Sequence, residues 1–208
     1  MWAFAAMLGA QAVTGCGSAA ATSQGRVAVA DTAKPWRKPG DKVDSILPMA
    51  EYIRRFRSGL VEPAAFEDGA PDRETLARRY LAAVSRRDTA ALRGMLVTRA
   101  EFAWLVFPDH LYSRPPYELD PDIFWLQLRE ETGKGATRVL QRYGGVPLTY
   151  AGMECQRDTV QIVSGPDTVW NKCRLSYRTA DSTLTRGLFG SIVQRRGRFK
   201  FLSYHTEF

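Results

Sequence analysis

Apolar positions along the chain change their period once, near Pro147, from the spacing of helices to the alternation of strands. Ile46, Met49, Ala50, Ile53, Phe56 and Leu60 recur at helical spacing with Arg54, Arg55 and Arg57 between them. They predict an amphipathic helix and loop over 46–71 that packs on a neighbouring domain or lies on a membrane surface. Asp72, directly after Pro71, is an N-cap signal for a helix whose face carries Leu76, Tyr80, Leu81 and Val84. Asp88 opens a short second helix through Leu96, and Asp120-Pro121 opens a third. The third carries Ile123, Phe124, Leu126 and Leu128, is expected to break at Gly133-Lys134-Gly135 and resume to Tyr143, and stops at Gly144-Gly145.

Beyond Pro147 the alternation has period two. Val169, Asn171, Cys173, Leu175 and Tyr177 are expected on one face, with Trp170, Lys172, Arg174, Ser176 and Arg178 on a wet one. Turn signals at Ser164-Gly165-Pro166-Asp167, over Thr179 to Thr183 and at Arg196-Gly197 cut this region into a four-stranded antiparallel meander. Helices first and strands after give an α+β fold, N-terminal helices packed on one face of a curved, mainly antiparallel sheet.

The N-terminus has a different character. An uncharged, largely apolar run from Trp2 to Val13 ends in Val13-Thr14-Gly15-Cys16 and resembles the lipobox of bacterial lipoproteins. The run is shorter than the roughly 20 residues that span a bilayer as a helix. The resemblance implies a signal peptide over 1–15, acylation of Cys16 and a lipid anchor in the cell envelope. Gly17 after the cysteine favours the periplasmic side of an outer membrane where one exists. Residues 16–45 are small and polar, punctuated by Pro35 and Pro39, and predict a flexible tether. In an oxidising compartment the remaining Cys155 and Cys173 form either a disulfide or two buried free thiols. With Gly165 at the turn, Cys155 lies opposite Leu175. It is then diagonal to Cys173, about 7–8 Å away between Cα atoms, so a disulfide requires a register slip or bulge.

The 208 residues, with 45% hydrophobic and 11% aromatic content, are globular in composition, and residues 72–208 suffice for one domain. The formal charge of +7 comes in small separated groups such as Arg78-Arg79, Arg86-Arg87 and Arg195-Arg196. No aromatic-interleaved basic stretch accompanies them, which argues against nucleic acid as a partner. The better fit is solvated helix faces or, in an envelope, anionic headgroups and acidic glycans.

Asp72-Arg-Glu-Thr-Leu-Ala-Arg-Arg-Tyr80, Asp88-Thr-Ala-Ala-Leu92 and the closing stretch Gly197-Arg-Phe-Lys-Phe-Leu-Ser-Tyr204 resemble the nuclear transport factor 2-like (SnoaL-like, ketosteroid-isomerase-like) superfamily. That resemblance covers about Asp72 to Phe208 and implies a cone, a strongly bent sheet wrapped around helices with a cavity inside. The superfamily includes isomerases, dehydratases, ligand carriers and dimerisation modules, so a homodimer stays open and fold alone selects no function.

Two histidines are present, His110 and His205, neither with a metal-ligand partner at helical spacing; no phosphate loop or serine elbow occurs, and no cofactor is implied. His205 follows Phe199, Phe201 and Ser203 at period two and is expected at the edge of the buried face, as a core-edge histidine or an acid/base group. Trp104 to Tyr117 is aromatic and proline-rich, and reads either as a lid with Asp109, His110 or Arg114 as polar contacts or as packed core. The candidate ligand-binding residues are Trp104, Tyr112, Arg114, Tyr117 and His205, and the candidate catalytic groups are Asp109, His110 and His205, with an Asp109–His205 dyad as the sharpest form. Three readings follow: a module binding a small apolar ligand or an envelope protein, an isomerase- or dehydratase-type enzyme on such a ligand, and a scaffold whose cone is filled by its own side chains and whose open sheet face mediates oligomerisation.

Overall fold

A computed structural model of the chain describes residues 47–206. The expected signal peptide, the tether and Cys16 lie outside the described residues.

Helix α1 (Met49–Arg57) turns Phe56 inward, with Met49, Ile53 and Leu60 packed beside it, while Glu51 pairs outward with Arg54 and Arg55 at 2.7 Å. Arg57 clamps it to the body, with its guanidinium 3.8 Å over the Trp104 ring and a 3.1 Å bond to the Ala103 carbonyl. Helix α2 (Arg73–Arg86) is capped by Asp72, which accepts from the Thr75 amide at 2.6 Å. Asp88 caps α3 (Thr89–Gly94), and Thr98 with Glu101 forms a capping box at α4 (Arg99–Glu101). The chain then runs through a π-helical turn (Phe102–Val106) and two 3-10 turns, Phe107–Asp109 and Leu111–Ser113.

Helix α5 (Pro121–Tyr143) is continuous, so the expected break at Gly133-Lys134-Gly135 does not occur. A helical glycine costs about 1 kcal/mol relative to alanine. At Gly135 a packing contact accounts for it: a Cβ there would stand 1.5 Å from the Tyr204 carbonyl oxygen, so only glycine lets the C-terminal segment lie this close. Among the described residues no helix is long and apolar enough to cross a membrane.

The sheet is antiparallel, with β1 (Thr149–Asp158), β2 (Asp167–Arg178), β3 (Thr183–Arg186), β4 (Ile192–Arg195) and β5 (Arg198–Phe201). The third strand of the expected meander is divided in two: β3 pairs with Leu175–Arg178 of β2, and β4 pairs with Asp167–Trp170. Between them the chain leaves the ladder to bury Leu188 and Phe189, where the Leu188 carbonyl accepts from the Tyr80 hydroxyl at 2.7 Å.

Cys155 and Cys173 are bonded through a slipped register, Leu175 facing Met153 rather than Cys155, with a bulge beside the bond. Glu154 pairs with Arg174 but Gln156 with Asn171, so β2 carries one extra residue and the two Cα atoms lie 4.1 Å apart. Lys172 sits in the bulge at φ 51°. One extra residue exchanges the faces of a strand. The single face expected for β2 is therefore interrupted: Cys173, Leu175 and Tyr177 enter one core cluster, and Val169 enters another.

The first cluster joins α2 to the sheet through Tyr80, Leu81, Leu175 and Phe201. The second gathers Phe56, Phe102, Phe107 and Phe124 with Val169 and Val193. Adjacent strand residues point to opposite faces, so Ile192 in the first cluster and Val193 in the second show that β4 is covered on both.

Candidate functional site

The Trp104 to Tyr117 segment begins as core. Leu105, Val106 and Phe107 are buried, and exposure appears only from Arg114 to Tyr117. The β1–β2 turn holds it from outside: the Leu111 amide donates to the Gln161 carbonyl at 2.7 Å, and the Val163 amide to the Asp109 carbonyl at 3.0 Å. This pinning fixes His110 against α5, its ring centroid 4.9 Å from Phe124 and 5.0 Å from Tyr112.

Beside His110 lies a cleft of about 380 Å³, within the range of small-molecule sites. His110 and Tyr112 form one wall, and Phe124, Leu128 and Glu131 of α5 another. The remaining side comes from Asn171, Lys172, Phe189 and Ser191, with Ser203 and His205 from the C-terminal segment.

His110 is 1% exposed. Its Nδ1 accepts the Tyr112 amide hydrogen at 3.1 Å, so in the neutral ring the proton belongs on Nε2. Nε2 is buried and, among the described residues, has no partner in hydrogen-bonding geometry. Burial pushes the imidazole down to about 4, outweighing the Gln161 side chain and the Asp158 charge nearby, which favour the charged form. At neutral pH His110, in the cleft wall, thus carries an uncharged Nε2–H that is itself shielded from solvent, with the Gln161 side chain nearby but outside hydrogen-bonding geometry. An unmet buried donor of this kind costs about 1–3 kcal/mol.

Asp109 faces elsewhere. Its carboxylate accepts from Ser164 at 3.1 Å and lies 3.6 Å from Arg195, and it takes no part in the cleft wall. Arg195 also donates to the Leu105 carbonyl at 2.7 Å and to Asp167 at 2.8 Å. Burial raises the Asp167 carboxyl to about 6, opposed by Arg195 and reinforced by Asp109. Arg114 donates to Ser164, extending this network to the surface.

The structure therefore brings His110, Tyr112 and His205 to one cleft, and leaves Trp104, Arg114 and Tyr117 outside it. Trp104 lies beneath Arg57, and Tyr117 is 55% exposed. The Asp109–His205 dyad is not formed. His205 is exposed rather than at a buried edge, because β5 ends at Phe201 and the chain buries Leu202, Ser203 and Tyr204 consecutively, so period two no longer applies. Asn171, Lys172 and Ser191 were not legible as cleft residues. The first two are placed by the bulge and Ser191 by the departure of the chain after β3. Among the described residues no group of three or more His, Cys, Asp or Glu side chains could hold a metal ion.

Neither a protein family, nor a characterised protein, nor a solved structure shows detectable similarity to this chain.

Proposed function

We propose that this chain is an exported lipoprotein, anchored to the cell envelope through Cys16, whose folded part binds a small molecule in the His110 cleft without transforming it. The observation that carries the binding reading is the buried, unpartnered Nε2–H of His110 beside a cleft large enough for a ligand. A ligand carbonyl, ether or carboxylate oxygen would satisfy that donor, while Phe124, Leu128 and Phe189 contact an apolar body. A base would need a free lone pair. His110 has one nitrogen protonated and the other accepting from Tyr112, which favours binding over proton abstraction.

The order of elements, helices before an antiparallel sheet, and a cleft between α5 and that sheet support placing the folded part among the nuclear transport factor 2-like cones, with the cleft as the cone's cavity. The lipoprotein reading rests on the Val13-Thr14-Gly15-Cys16 motif and gains support from a disulfide elsewhere in the chain, since such bonds persist in oxidising compartments.

Native mass spectrometry of the detergent-solubilised full chain, purified from its host, tests the binding reading. A co-purifying small molecule on the parent protein that is lost from His110→Phe is the expected result; retention by the variant, or nothing on either protein, would overturn it. Loss of fatty-acid labelling and of membrane fractionation in Cys16→Ser is expected for the anchor, and unchanged labelling would refute it.

A further inference from the structure

A second groove, of about 480 Å³, shares only Leu128 and Leu202 with the His110 cleft. It runs between α5 and the segment from Arg93 to Thr98. Leu96, Val97, Trp125, Leu128 and Leu202 make its walls apolar, and Arg93 and Arg129 stand exposed at its rim. No acidic residue lines it, and among the described residues neither arginine side chain is held by an ion pair or hydrogen bond. An apolar trough flanked by two uncommitted guanidinium groups is complementary to a molecule that is apolar along its length and anionic at one end.

Gly133 adds an independent observation. It lies inside a continuous 23-residue helix, where glycine is disfavoured, and it borders this groove. At Gly135, two residues on, the Tyr204 carbonyl excludes a side chain, but a Cβ on Gly133 would meet no atom of the described residues within 4 Å. Nothing among the described residues requires the bare backbone at this point. An occupant of the groove lying against α5 would account for it.

We propose that this groove binds a single-chain anionic amphiphile of the fatty-acid type, its tail between Leu96, Trp125 and Leu202 across the bare backbone at Gly133 and its carboxylate between Arg93 and Arg129. This site is separate from the His110 cleft and does not depend on the reading given to that cleft.

The test is calorimetric titration of dodecanoate, kept below its micellar concentration, into the full chain carrying Cys16→Ser, so that no acyl group of its own competes. Saturable one-site binding is expected. Gly133→Leu should weaken it about tenfold or more while the thermal midpoint holds or rises, because helix propensity improves. Gly133→Ala, the milder filling, should weaken it less. Joint replacement Arg93→Gln and Arg129→Gln, or use of uncharged dodecanol, should each cost about tenfold. Unaltered affinity in Gly133→Leu would overturn the proposal. So would loss of dodecanoate binding in His110→Phe instead, which would place the amphiphile in the cleft, or binding to anionic phosphatidylglycerol vesicles with no saturable binding of free dodecanoate, which would make the arginines a membrane contact.

Discussion

The two core clusters are built from similar apolar residues but treat polar atoms differently. Under α2, the buried hydroxyls of Tyr80 and Tyr204 each reach a backbone carbonyl, Leu188 at 2.7 Å and Leu92 at 2.6 Å, and the four rings of Tyr80, Phe189, Phe201 and Tyr204 pack edge-on or tilted. Around Phe102 the core instead adjoins ionised side chains. Lys200 pairs with Glu101 at 2.9 Å, both almost wholly buried, and Asp167 is enclosed with Arg195. Glu101 is fully used, accepting also from the Glu67 and Thr98 amides at 2.7 Å. Among the described residues Trp104 Nε1, His110 Nε2 and Asp167 Oδ2 are buried there outside hydrogen-bonding geometry, against the Tyr177 hydroxyl alone, beside the Tyr143 ring, in the first cluster. The first region is organised to hold the fold together. The second gives up some of that stability to keep polar groups in low dielectric, and the cleft opens beside it.

The largest expected effect falls on the second region. Lys200→Met leaves Glu101 buried with no counter-charge and should lower unfolding free energy by about 3–5 kcal/mol in chemical denaturation. A loss below about 1 kcal/mol would mean that the pair is hydrated and the contrast between the clusters overstated.

Reducing Cys155–Cys173 comes next. The bond closes a loop with a sequence separation of 18 and sits at the bulge where β2 passes from one cluster to the other. Denaturation with and without reductant should differ by about 3 kcal/mol.

A comparable effect, normally hidden, should appear with pH. The folded state keeps Asp167 protonated up to about 6 against an ordinary 3.8, so between these values unfolding releases a proton and stability falls as pH rises. His110 has the opposite sign. Its folded value near 4 lies below the ordinary 6.5, so unfolding takes up a proton in that interval and stability rises with pH. Each shift corresponds to about 3 kcal/mol, and from pH 4 to 6 the two nearly cancel. Asp167→Asn should therefore lose stability as pH falls from 6.5 to 4, whereas His110→Phe should gain it as pH falls from 6 to 4. Equal slopes in the two variants would contradict the opposed environments assigned to these side chains.

The smallest effect belongs to the first region. Tyr80→Phe leaves the Leu188 carbonyl without its donor and should cost about 1 kcal/mol, with no change in pH dependence.

Much of the frame was legible because it is locally encoded. Asp72, Asp88 and Asp120 cap helices by bonding amides two or three residues on, contacts that sequence spacing reveals directly. The Cys155–Cys173 arithmetic likewise demanded a register slip or a bulge, and Leu175 faces Met153 rather than Cys155, with a bulge next to it. What escaped depends on contacts distant in sequence. The continuity of α5 rests on Tyr204 meeting Gly135, the division of the third strand on Leu188 and Phe189 entering the core under Tyr80, and the burial of Lys200 on Glu101 arriving from α4. Alternation along Phe199, Lys200 and Phe201 marks Lys200 as facing away from its neighbours, but not that another layer covers that face. The cleft was partly visible for the same reason. His110 and Tyr112 belong to a conspicuous aromatic segment, while Asn171 and Lys172 reach the cleft through a bulge whose position no local signal announces.

The central claim is that His110 holds, beside the cleft, a neutral Nε2–H donor that no described residue meets in hydrogen-bonding geometry. Long-range 1H–15N correlation spectra of the imidazoles of the full chain, recorded from pH 4 to 8, address it directly. The account predicts that His110 stays in the Nε2–H tautomer until the pH approaches about 4, and that Nε2 shifts when the co-purifying molecule is added back. An imidazole that titrates near its ordinary 6.5, or whose Nε2 resonance is indifferent to that molecule, would contradict it.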